Sequence, residues 1–278
     1  MSREQLIEIF EDTRQWYSTD ETLKSAVQNS IAATKFYDAE NYPALPDKKF
    51  DATKISVNKY RTFETAAYTV KHNPNSKIAV HNFASAKNPG GGVTKGSRAQ
   101  EEALCRCSTL YPVLNTNENF KRYYSFHRNL KDNRYTDACI FTPEIIVCKS
   151  DIDLPQRLPQ KNWFKVDVLT CAAPNLRENV SRYDSGAENF HRVTDAELLK
   201  IHEKRARHML TILASNGVDI FITGAFGCGA FSNNPKVVAQ AFKNILPEFD
   251  GFFEEIIFAV YCPPRDTSNF DAFKKILA

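Results

Sequence analysis

Six short, almost unbroken apolar runs constrain this chain more than any other feature. They are Lys77–Ala84, Ala138–Thr142, Ile145–Cys148, Val166–Ala173, Val218–Thr223 and Ile256–Tyr261. Runs of this length with few polar interruptions read as strands covered on both faces. Two helices between them are well marked. Thr194-x-x-Glu197 is a capping box, followed by an apolar stripe through Ala206, Met209, Leu210 and Leu213 and a stop at Asn216-Gly217. Asn234-Pro235 opens the other, which carries Val238, Ala241, Phe242 and Ile245 on one face and ends before Pro247. Strands alternating with helices predict an α/β fold, a sheet with helices packed on both sides. Ligands on such sheets gather where the carboxyl ends of strands lead into loops.

The first fifty residues have a different character. They hold six basic and nine acidic groups, a net of −3, whereas the whole chain has 36 basic and 33 acidic groups, a net of +3. Ser2-x-x-Gln5 fits a capping box ahead of Leu6, Ile7, Ile9 and Phe10. Leu23, Ala26, Val27, Ser30 and Ile31 keep a helical period from a start at Asp20, and Pro43 and Pro46 break any continuation. Residues 1–50 therefore read as a helical extension on a core over 51–278, the two forming one structural unit. A charge of +3 on 278 residues is too small to hold a polyanion by a broad basic field, so an anionic ligand must be bound by local geometry. The stretch 121–165, with nine basic and five acidic groups, could at most steer one. Sequence-specific nucleic-acid binding is not expected.

Seven scattered cysteines, an odd number, point to reduced thiols. No run approaches the roughly 20 apolar residues of a membrane span, and the N-terminus lacks a secretory pattern. A soluble, cytoplasmic monomer is expected, nuclear being an option in a eukaryotic cell. Cys105-x-Cys107 points its side chains apart on a helix, and the six histidines form no zinc-binding pattern. No metal or cofactor is expected.

Six of the ten glycines fall in two short stretches, 90–92 and 224–229. The first follows the strand ending at Phe83-Ala84 and reads Asn88-Pro89-Gly90-Gly91-Gly92-Val93, then Gln100-Glu101-Glu102 after a spacer. Three successive glycines let backbone N–H groups converge on an oxyanion, for which a diphosphate is a natural guest. A plain surface turn would also use them. Ser97-x-x-Gln100 fits a capping box, which would account for the two acids as first-turn residues. The second stretch, Gly224-Ala225-Phe226-Gly227-Cys228-Gly229-Ala230-Phe231, leads into the helix at Pro235, where amides and the helix dipole favour a phosphate. It lacks the Gly-Lys-Ser/Thr ending of a P-loop and the dinucleotide fingerprint of a Rossmann fold. Cys228 has no neighbouring histidine to activate it, so it reads as a packed thiol.

Gly-Gly-Gly, the seven-residue spacer Val93–Ala99 and Gln100-Glu101-Glu102 resemble the signature of the microbial-type poly(ADP-ribose) glycohydrolases. Asn82-Phe83-Ala84-Ser85-Ala86-Lys87-Asn88, Leu104 and Ser108-Thr109-Leu110-Tyr111 are similar to that branch as well. The resemblance implies a macrodomain: a three-layer α/β/α sandwich with a mixed central sheet and a helical N-terminal extension. It implies hydrolysis of ribose–ribose O-glycosidic bonds, with poly(ADP-ribose) or ADP-ribosylated macromolecules as substrate and ADP-ribose as product. On it, Glu102 is the general acid and base, and burial beside a second carboxylate should raise its pKa. Glu101 and Gln100 hold ribose hydroxyls. Asn82, Asn88, Gly90–Gly92, Val93 and Gly224–Phe231 bind the rest of the ligand, with Phe231 over the ribose and Phe226 behind it. Removal of single ADP-ribose units, or binding without catalysis, are the alternatives; a binding module has no need of the Gln-Glu-Glu.

Overall fold

The computed structural model describes residues 2–177, 190–263 and 265–278. Ser2 Oγ accepts from the Gln5 amide while Gln5 Oε1 accepts from Ser2 N–H, and this capping box opens α1 (Arg3–Thr19). Asp20 ends that helix and caps α2 (Glu21–Ala33). There follow β1 (Lys35–Tyr37), β2 (Lys54–Asn58), α3 (Thr62–His72), β3 (Ile78–Phe83), α4 (Gln100–Cys107) and α5 (Leu110–Leu114). Then α6 (Asn117–Asn119) runs through a π-helical stretch, Phe120–Ser125, into α7 (Phe126–Leu130). The chain continues with β4 (Cys139–Val147), β5 (Phe164–Cys171), α8 (Asp195–Ser215), β6 (Ile220–Thr223), α9 (Pro235–Ile245), β7 (Glu255–Ala259) and α10 (Ser268–Leu277).

The seven strands form one mixed sheet in the order β1-β4-β5-β3-β6-β7-β2. The five strands from β5 to β2 are parallel, and β4 and β1 join antiparallel at one side. Alternate residues feed two cores. On β3, Ala79 packs with α8 and α9, whereas Ile78 and Val80 pack with Leu104 of α4 and Leu110 of α5. Thr194 caps α8 in a capping box, and Asn234 caps α9 with Pro235 in its first turn. No helix among the described residues is long and apolar enough to cross a membrane.

Two expectations need correction. Ala138–Thr142 and Ile145–Cys148 are one strand, β4, because the ladder is carried past Pro143 and Glu144 by a bulge in which Glu144 takes φ +56°. Residues 1–50 are not wholly helical. Lys35–Tyr37 forms the edge strand β1, too short for any period to reveal it. The N-terminal helices also pack tightly on the rest. Phe10 of α1 is buried edge-on to Tyr111 at 4.9 Å, Thr13 Oγ1 donates to Arg106 O on α4, and the buried Lys149 donates to Ile9 O. At Gly96 (φ +70°) a Cβ would stand 2.5 Å from Arg3 O, so α1 abuts the loop that precedes α4.

Candidate active site

Gln100, the first residue of α4, fastens that helix to the end of β3. Its Oε1 accepts from Phe83 N–H (2.9 Å), and its Nε2 donates to His81 O (2.6 Å) and Thr62 Oγ1 (3.1 Å). The expected capping box at Ser97 does not form. Ala99, which has no polar side-chain atom, is the N-cap, and the Gln100 amide is engaged by β3 and by Thr62 of α3. Gln100 thus sits on the cavity wall with its polar atoms turned to protein partners.

The next two side chains are the acids. Glu101 is 2% exposed, and its carboxylate accepts from Ser85 N–H (2.7 Å), Asn82 Nδ2 (3.3 Å) and the Gly90 N–H. Burial, followed by the neighbouring Glu102 carboxylate, pushes Glu101 well above the usual carboxylate range. Glu102 is 7% exposed, and its Oε1 accepts from Gly92 N–H at 2.8 Å.

The triple glycine serves an oxyanion other than the expected one. Gly90 N–H turns to Glu101, Gly92 N–H to Glu102, and Gly91 N–H to Asn88 O. The loop is a nest for the protein's own carboxylates, and its amides are not left for a ligand phosphate. Three further expected ligand contacts move with it. Val93 is buried in the core below the sheet, and Asn82 is buried under Glu101. Asn88 is exposed outside the cavity, where Arg128 Nη2 donates to its Oδ1.

The second glycine stretch lies across the cavity. Phe226, Cys228, Ser232 and Asn233 direct their N–H groups to Gly224, Ala225, Gly229 and Gly227 carbonyls. Among the described residues no acceptor is found for the N–H groups of Gly227, Gly229, Ala230 and Phe231. Gly224 is buried against Ala259 O, with no room for a Cβ. Phe231 is half-buried on the cavity wall, and Phe226, on the same wall, is fully buried against His81 (4.4 Å) and His202 (5.5 Å). The Cys228 thiol donates to Phe226 O, and burial pushes its pKa up.

Between the two loops is a cavity of about 320 Å³. Its walls hold Gln100, Glu101 and Glu102 on one side and Ala225–Gly227 and Gly229–Phe231 on the other. Sequence reasoning did not anticipate Arg61, Thr62, Arg98, Asp151, Tyr261 and Asn269, which also line it. Arg61 and Thr62 follow β2 and Tyr261 follows β7, so the rule that ligands sit at the carboxyl ends of parallel strands could have found them. The Arg61 guanidinium lies over the Tyr261 ring at 3.9 Å and pairs with Asp153. Ala173-Pro174-Asn175, flagged after β5, contributes Ala173 to the wall and buttresses the second glycine stretch through Pro174 O. Among the described residues no group of three or more His, Cys, Asp or Glu side chains could hold a metal ion.

Burial holds His202 at about 4, below its ordinary 6.5. The folded state binds fewer protons than the unfolded chain between these values, so this contribution is fully present above 6.5 and lost as pH falls towards 4. His202→Gln removes the titration. Its stability relative to wild type should rise by roughly 2.5 kcal/mol between pH 7 and 4.5, at about 1.4 kcal/mol per pH unit below 6.5. Denaturant unfolding at the two pH values checks this, and an unchanged difference would contradict it.

A helix-flanked mixed sheet, a cavity at its strand ends and two buried carboxylates facing an amide-lined loop together define a macrodomain-type glycosidase. Residues 4–150 match the family model of the microbial-type PARG catalytic domain, PARG being poly(ADP-ribose) glycohydrolase. The chain belongs to that family. It is similar to the solved poly(ADP-ribose) glycohydrolase of Thermomonospora curvata, with 27% identity over 99% of this chain and 100% of that one and a TM-score of 0.82. The same protein bound to the inhibitor ADP-HPD gives 28% identity, coverage of 98% and 99%, and a TM-score of 0.81. The enzyme from Deinococcus radiodurans in complex with ADP-ribose gives 32%, 90% and 96%, and 0.76. No curated protein sequence matches.

Proposed function

We propose that the protein hydrolyses the ribose–ribose O-glycosidic bonds of poly(ADP-ribose) and releases ADP-ribose, with Glu102 as general acid and then general base. The observation that carries this reading is the Glu102 carboxylate, held by Gly92 N–H on the wall of a cavity whose opposite wall presents amides with no acceptor among the described residues. The ADP-HPD and ADP-ribose complexes of the two bacterial relatives support the ligand class.

In this reading the diphosphate lies on the Gly227–Phe231 amides, and the attached ribose reaches the carboxylates. Glu102 gives its proton to the departing ribose oxygen as the C–O bond breaks and an oxocarbenium-like centre forms at the anomeric carbon. The Glu102 carboxylate then takes a proton from the water that attacks that carbon, which restores the acid. Glu101 holds ribose hydroxyls at the scissile bond. The common glycosidase scheme uses two separated carboxylates, so the cation needs stabilisation from another source, and the fixed diphosphate supplies it.

Incubation with poly(ADP-ribose) and, separately, with a mono-ADP-ribosylated protein tests the reading. Faster release of free ADP-ribose from the polymer is expected. Release from the mono-ADP-ribosylated protein alone would make the chain a mono-ADP-ribosyl hydrolase, and binding with no release from either would make it an ADP-ribose reader.

A further inference from the structure

Two backbone carbonyls beside the cavity wall converge on the side chain of one buried residue outside it, Asn233, 2% exposed. Its Nδ2 donates to Pro174 O (2.7 Å) and Phe231 O (3.1 Å), and its backbone N–H donates to Gly227 O (3.0 Å). Its Oδ1 faces His202 Nε2 of α8 at 2.8 Å. Both Nδ2 hydrogens are used on carbonyls, which fixes the amide's orientation. Oδ1 is then an acceptor, so His202 carries a proton on Nε2 and donates it. His202 is 1% exposed and packs edge-on to Phe226 at 5.5 Å. At Gly227, φ +77°, a Cβ would stand 2.5 Å from the Ala173 Cβ and 3.0 Å from Asn233 Cγ, so the loop closes on Asn233 without slack.

We propose that His202 and Asn233 form a positioning pair that holds the Gly227–Phe231 amides and the Phe231 ring in the arrangement that receives a diphosphate. Neither side chain lines the cavity, so the pair acts through the loop. A glycine-rich loop left free would have to order on binding, and the pair removes that entropic cost in advance. The proposal rests on the diphosphate reading above and goes beyond it by placing the control of affinity on α8.

Calorimetric titration with ADP-ribose, steady-state kinetics on polymer and melting curves test it on wild type, Asn233→Ala, His202→Leu and His202→Gln. Asn233→Ala and His202→Leu should weaken ADP-ribose binding and raise KM about tenfold each, the effect of leaving one buried polar group unpaired, with kcat within about threefold. His202→Gln presents an N–H at the place of Nε2 and should restore binding to within about threefold of wild type. Wild-type affinity in a folded Asn233→Ala, or equal losses in His202→Gln and His202→Leu, would overturn the proposal. Failure of wild type itself to bind ADP-ribose is a different result, which removes the functional reading and the proposal with it.

Discussion

Glu102→Gln should lose about a thousandfold in kcat on poly(ADP-ribose), the middle of the range for removing a positioned acid and base. Its affinity for ADP-ribose should stay within about threefold of wild type, because glutamine keeps the shape and an Oε1 able to accept from Gly92 N–H at 2.8 Å. What it lacks is a proton it can give up and recover. The loss therefore belongs in kcat, with KM nearly constant. Substantial turnover by this variant would remove Glu102 from the chemistry. Loss of ADP-ribose binding would instead make the carboxylate a structural member of the glycine nest.

The second large effect is expected at Gly91→Ala. A Cβ there would stand 2.5 Å from Glu102 Oε1 and 3.0 Å from Glu101 Oε2, so one or both carboxylates must move. A displacement of about 1 Å at a reacting group costs on the order of a hundredfold in rate. The residue also sits at φ +58°, which adds about 1–2 kcal/mol of backbone strain for alanine. Gly217→Ala separates the two causes. Gly217 has φ +71° but nothing within 4 Å of a Cβ, at the far end of α8 from the cavity wall. It should lose similar stability and keep wild-type turnover. Unchanged kcat in Gly91→Ala would show that the first glycine stretch does not hold the catalytic geometry.

Local signals were the most legible part of this chain. Ser2 with Gln5, Thr194 with Glu197, and Asn234 with Pro235 each solve the orphan amides of a helix start within a few residues, so the sequence shows both problem and solution. Two of the expected strands, Lys77–Ala84 and Val218–Thr223, contain β3 and β6, and a third, Val166–Ala173, overlaps β5; the neighbours of these strands on both sides make apolar runs obligatory. The edge strand β1 is three residues long and partly exposed, and it exists only because β4 offers it a partner. The same dependence on distant partners explains Gln100. Its spacing from Ser97 fits a cap, yet His81, Phe83 and Thr62 supply a better set of bonds that no local pattern reveals.

The site divided in the same way. That two glycine stretches and two adjacent acids belong together was legible, because such a loop has to be matched to an anion. Which anion each stretch meets was not. The amides of Gly90 and Gly92 turn inward to Glu101 and Glu102, and only the folded chain shows that, among the described residues, the second stretch holds the amides without an acceptor. Arg61 and Tyr261, on the same cavity wall, come from segments far apart in sequence, and the parallel pairing of β2 with β7 brings them to one end of the sheet.

The central claim is that this cavity breaks a ribose–ribose bond and leaves the diphosphate intact. Chromatography of the products formed from poly(ADP-ribose) by the purified protein tests it most directly. The expected result is free ADP-ribose as the accumulating product, absent when Glu102→Gln is used at equal concentration. Accumulation of phosphoribosyl-AMP, the mark of diphosphate cleavage, or polymer left intact by the wild-type protein, would contradict it.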